Sequence, residues 1–190
     1  MFSTYKHSSP KTPYEKFMIN TVCAFLEMII PSFLSANSVS LIGQIPVWIF
    51  TIYVLIMDGC QMDPEHLMSK ENCLLAAGVI QWFSIFDIID GMRAKNKKCG
   101  SPLGRVIDEA GDMICQTLFS ILVGKAMGTT SLLFDFTLLQ YNTIFFVMET
   151  RHLVTRELVL ISGPVGPVEV ELLLTVVMLT LGIYGPEVAQ

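Results

Sequence analysis

Charge is what this sequence has least of. Asp, Glu, Lys and Arg make up 15% of its 190 residues, against about 25% in a typical soluble domain. It has no basic run with interleaved aromatics, and its net charge is −5. Both features argue against nucleic acid as a partner. Histidine is scarce, and His7, His66 and His152 all fall in polar connections where they read as solvated. The five cysteines (Cys23, Cys60, Cys73, Cys99 and Cys115) lack zinc-ligand spacing; they read as small apolar fillers. The first sixteen residues are polar and hold no short apolar core followed by a cleavage site. Membrane insertion is therefore expected through the mature helices.

What the chain has is apolar length. It is 52% hydrophobic, and the apolar residues gather in runs close to the about 20 that a helix needs to span a bilayer. Ser38–Met57, Asn72–Ala94, Gly104–Ala126, Ser131–Met148 and Val168–Tyr184 read as spans. Phe17–Leu34, interrupted by Asn20, Glu27 and Pro31, reads as one amphipathic helix lying in the membrane interface, with Glu27 facing headgroups. The predicted fold class is thus all-α, a polytopic membrane bundle of five to six membrane helices including the interfacial one. Residues 1–37 form a cytosolic N-terminus plus that helix, and residues 38–190 form the core. If the N-terminus is cytosolic, ten of the twelve Lys and Arg residues fall on the cytosolic side, leaving only Lys70 and Lys125 opposite.

Four carboxylates break the apolar runs. Each acid at the bilayer centre costs about 2.5–3.5 kcal/mol on insertion scales, so their presence demands a use. Asp87 and Asp90 are three apart, and Asp108 and Asp112 are four apart, so each pair shares one helix face. The connection between the two helices is short, which makes them antiparallel neighbours able to face both pairs to one point. Four carboxylates at one point repel unless cations lie between them, and all-oxygen ligands favour magnesium, manganese or calcium. Gly91, Ala94, Gly104 and Gly111 leave room beside the acids. Arg93, Lys95, Lys97, Lys98 and Arg105 are predicted to ring the mouth and suit a phosphate-bearing substrate.

The string Asp87-x-x-Asp90-Gly91-x-x-Ala94-Lys95-x8-Gly104-x-x-x-Asp108-x-x-x-Asp112 resembles the signature of the CDP-alcohol phosphotransferases. One position departs, since the family has Arg where this chain has Lys95. The flanking Pro31, Ala36–Gly43, Ser101–Gly104 and Gly166–Pro167–Val168–Glu169 are similar to the eukaryotic choline- and ethanolaminephosphotransferases. Those carry His after the third Asp, where this chain has Glu109.

The resemblance implies transfer of phosphoethanolamine or phosphocholine from a CDP-alcohol to diacylglycerol, releasing CMP. It implies Mg2+ or Mn2+ held by Asp87, Asp90, Asp108 and Asp112, with Asp112 also the general base. It implies substrate contacts at Asn37, Gly91, Ala94, Lys95, Gly104 and Glu169. It further implies a homodimer in the endoplasmic reticulum or Golgi membrane with its site facing the cytosol. Members of the family are longer and share six membrane helices. Either Phe17–Leu34 makes up the count, or the core is C-terminally truncated. The alternative is an inactive membrane relative that binds CDP-alcohol or lipid and partners an active enzyme. A cation transporter using the same acids leaves the spaced glycines unexplained. Glu171 reads as structural, Asp135 as a helix-end charge, and Phe134, Phe136, Phe145 and Phe146 as packing bulk.

Overall fold

The computed structural model describes residues 11–97, 102–129 and 166–189, together with Leu139, Thr143 and Val147 as single helical positions. The predicted span Ser131–Met148 otherwise lies outside the described residues, as do His7, His152, Cys99, Asp135 and the phenylalanines beside it. Among the described residues every regular element is helical.

The N-terminal segment starts at α1 (Pro13–Met18). Thr12 caps it by accepting from the Glu15 N–H, and Pro13 sits where no N–H is needed. A π-helical turn (Ile19–Cys23) follows, then α2 (Ala24–Ile29). The single helix expected over Phe17–Leu34 is therefore two short helices joined by a π turn, and it stops early. Pro31 disfavours helical backbone in the residue before it, and Ile30 is extended at φ −66, ψ 124. One face of the segment exposes Phe17, Phe25 and Met28; Met18 and Cys23 pack with Ile88 and Ile89 of the central helix.

α3 (Ala36–Met57) opens on a Ser35 cap that accepts from the Ser38 N–H. It holds Pro46 in its interior, which leaves the Ile42 carbonyl four residues earlier without its helical donor. The Trp82 indole N–H of α4 (Lys70–Asn96) fills that vacancy at 3.0 Å. A sequence fault in one helix thus becomes a tie to the next. α5 (Pro102–Met127) ends at Gly128, whose φ of 59 suits a glycine helix stop. α6 (Pro167–Tyr184) begins with Pro167 in its first turn, and Glu169 reaches back to the Gly166 N–H at 2.8 Å.

Among the described residues, three helices, α3, α4 and α6, are long and apolar enough to cross a membrane. The protein is an all-helical membrane bundle. α4 lies centrally, packed along α3 and α6, while α5 rests mainly on α3 and touches α4 little. Val47, Val54, Ile80, Phe83, Phe119, Leu122 and Met178 build the main core, with Phe83 and Phe119 edge to face at 5.3 Å. Lys125 is fully buried at the far end, where its ammonium donates to the Gln61 carbonyl at 2.6 Å and fastens the 58–69 connection.

Candidate active site

The meagre contact between α4 and α5 is where the acids meet. Asp87 and Asp90 come from one turn of α4 and Asp108 from the first turns of α5. Each of the three offers a carboxylate oxygen, and the three atoms lie within 4.8 Å of one another. Asp90 is 4% exposed. It is hydrogen-bonded to the Ser40 hydroxyl of α3 and lies at hydrogen-bond distance from Asp108. Two carboxylates that close repel unless a proton or a cation lies between them. Asp112 sits one turn along α5, outside that trio, and its Oδ1 is buried without a hydrogen-bond partner. An acceptor oxygen left bare in the interior is costly unless something positive is bound there. The donor set is all oxygen and anionic, so the residues fit a hard divalent cation.

α3 approaches this site closely because two glycines let it. A Cβ on Gly43 would lie 2.8 Å from that of Phe86, and one on Gly111 would run into the Gln44 side-chain amide. Ser40 and Gln44, both buried, therefore face the acids one turn apart on α3. Sequence reasoning missed them, along with Ser84, Gln116 and Glu171. The available signal was the one that exposed the aspartates: polar side chains at helical spacing inside apolar runs.

The remaining predicted residues are placed as follows. Gly91 is exposed with open space where a Cβ would project. Ala94 and Gly104 are half-buried, Lys95 is exposed, and Asn37 is half-buried in the first turn of α3. Glu169 is half-buried with both oxygens engaged, one by the Gly166 N–H and the other by the Thr12 hydroxyl.

The predicted basic ring needs correction. Arg93 is buried and its guanidinium is spent on backbone, donating to the Pro31 carbonyl at 2.6 Å and the Ile30 carbonyl at 3.4 Å. Lys97, one turn on, donates to the Ser32 and Leu34 carbonyls. The cause is the early stop of α2: the carbonyls of the 30–34 stretch that follows it have no helix to supply their donors, and the two cations at the end of α4 supply them instead. Glu27 is corrected too, since it lies 3.4 Å from Arg93 rather than facing headgroups. A buried guanidinium requires a counter-charge. Lys98 lies outside the described residues, as does the side chain of Arg105.

This is a helical membrane bundle that gathers Asp87, Asp90 and Asp108 from two neighbouring helices, an oxygen set that could hold a cation. The chain belongs to the CDP-alcohol phosphatidyltransferase family, which it matches over residues 28–187. The family's chemistry is head-group transfer in phospholipid synthesis. Among curated proteins, a CDP-diacylglycerol–serine O-phosphatidyltransferase of Encephalitozoon cuniculi (strain GB-M1) is 30% identical over 99 residues. That match covers 52% of this chain and 25% of the relative, so the chain aligns with a quarter of that protein's length.

Proposed function

We propose that the protein transfers phosphoethanolamine or phosphocholine from the CDP-alcohol to diacylglycerol, with release of CMP. The observation that carries this reading is the meeting of Asp87, Asp90 and Asp108 within 4.8 Å. The Gly166–Pro167–Val168–Glu169 stretch and the Ala36–Gly43 entry to α3 support the choice of head group.

Asp87, Asp90, Asp108 and Asp112 would hold Mg2+ or Mn2+. A divalent ion, when bound, neutralises the diphosphate and stabilises charge on the departing nucleotide. Asn37, Gly91, Ala94, Lys95, Gly104 and Glu169 are the proposed contacts to the CDP-alcohol. Gly91 and Gly104 leave space for the nucleotide, and Lys95 contributes charge at the rim. Asp112 takes the proton of the acceptor hydroxyl on its buried Oδ1. The hydroxyl oxygen bonds to the phosphorus distal to cytidine, the bond from that phosphorus to the bridging oxygen breaks, and CMP departs with it. The bias of basic residues toward one side supports a site facing the cytosol, in the endoplasmic reticulum or Golgi membrane. The family resemblance supports a homodimer.

The Encephalitozoon relative favours a second reading, with CDP-diacylglycerol as donor and serine as acceptor. The same phosphorus–oxygen bond breaks, but the lipid arrives on the nucleotide. Protein reconstituted with Mg2+ or Mn2+ distinguishes the two. Labelled CDP-ethanolamine or CDP-choline with diacylglycerol is expected to yield labelled phospholipid and CMP. Label from serine entering lipid with CDP-diacylglycerol would select the second reading. No product with either pair, from protein that still binds a CDP-alcohol, would leave an inactive relative.

A further inference from the structure

The four aspartates are not the only acids inside the bundle. Glu171 of α6 is 3% exposed, on a helix otherwise rich in Val and Leu. An apolar residue there would avoid the desolvation cost of a buried carboxylate. Its Oε1 accepts from the Gln116 amide of α5 at 2.9 Å, and the Ser84 hydroxyl of α4 also hydrogen-bonds to it. Ser84 is three residues before Asp87, and Gln116 is four residues after Asp112. One side chain from a third helix therefore joins α4 and α5 about one helical turn from the acids that those helices present.

That join matters because α4 and α5 make little direct contact. Phe83 of α4 meets Phe119 of α5 edge to face further from the acids, and Glu171 is the polar tie between that contact and the carboxylates. We propose that Glu171 is a positioning residue: by accepting from Ser84 and Gln116 together, it sets the α4–α5 separation at the level of Asp87 and Asp112. It thereby sets the affinity of the carboxylate site for a divalent cation. The inference rests on the reading above that these carboxylates hold a cation. Groups that hydrogen-bond metal ligands from behind change metal affinity by about 10–100-fold when removed; Glu171 reaches the ligands only through the helices that carry them, so the low end of that range is expected.

The test is Mn2+ binding to the purified full chain, read from the paramagnetic resonance signal of free Mn2+, with thermal unfolding in chelator as a check on the fold. Glu171→Ala is expected to bind about 10-fold more weakly. Glu171→Gln keeps an acceptor for Gln116 and a partner for Ser84, and is expected to bind close to wild type. Gln116→Ala, which leaves a smaller change in the core, is expected to weaken binding in the same direction. Combined with Glu171→Ala it adds nothing, since both remove one bridge. Wild-type affinity in Glu171→Ala would overturn the proposal, as would a Glu171→Gln variant as weak as the alanine one. Wild-type protein that ignores Mn2+ would instead remove the cation reading on which the proposal stands.

Discussion

The two ends of this bundle are built on opposite rules. Away from the acids, α3, α4, α5 and α6 meet mainly through apolar packing of Val54, Ala76, Phe119, Leu122 and Leu181. At the acid end, where carboxylates of α4 and α5 meet, polar groups take over. Ser40 and Gln44 face in from α3, Glu171 spans from α6, and Arg93 and Lys97 fasten the interfacial segment by its own carbonyls. A tightly packed end leaves no room for a nucleotide, and a polar end without a rigid neighbour would not hold carboxylates in place.

The comparison breaks most sharply at Asp112. Asp112→Asn is expected to lower turnover by about 10²–10⁴-fold while leaving unfolding unaffected, read as CMP release alongside a melting curve. Retained turnover would mean that the bare Oδ1 is not the proton acceptor. The converse experiment is at the packed end. Phe119→Ala removes a fully buried ring set against Phe83, and it is expected to cost about 3–5 kcal/mol of stability. The folded fraction should still bind Mn2+ as wild type does, and altered Mn2+ affinity would show that the two ends are not independent.

Gly111→Ala tests the seam between them. The added methyl forces the Gln44 amide aside, an overpacking cost of about 1–3 kcal/mol. Shortening the obstacle in a Gly111→Ala, Gln44→Ala double variant should recover most of it in the same melting assay. The smallest effect is expected far from the acids, in the 58–69 connection. There the hydrogen bond from His66 holds the Asp63 carboxyl below its ordinary range. A depressed carboxyl contributes above its unfolded value and loses that contribution as pH falls through its folded one, but this pair is exposed and screened. His66→Ala should raise the Asp63 carboxyl toward its ordinary range in a carboxyl NMR titration, the backbone N–H bonds from positions 65 and 66 remaining, and leave turnover and melting unchanged.

Much of this was legible beforehand. Two residue pairs at helical spacing in adjacent apolar runs put carboxylates on facing sides, and Asp87, Asp90 and Asp108 do converge. The helix limits are close to those read from hydropathy: α3 begins at Ala36 against an expected Ser38, and α6 at Pro167 against Val168. The partners of the polar side chains were not legible. Arg93 lay beside the aspartate motif and read as part of its mouth, yet it serves carbonyls more than sixty residues earlier in the chain. Glu27 read as a headgroup-facing acid and is its counter-charge. Glu171, read as structural, bridges the helices that bear the aspartates.

The sequence by itself determined the class of solvent, the places where the chain turns and the acids that must share a face, because these depend on the local periods of a helix and the cost of charge in hydrocarbon. Tertiary structure alone decided which donor meets which acceptor. A buried polar group takes whichever partner packing brings within reach, and the Ile42 carbonyl, bared by Pro46 and met by Trp82 forty residues later, found its donor only once α3 and α4 lay side by side.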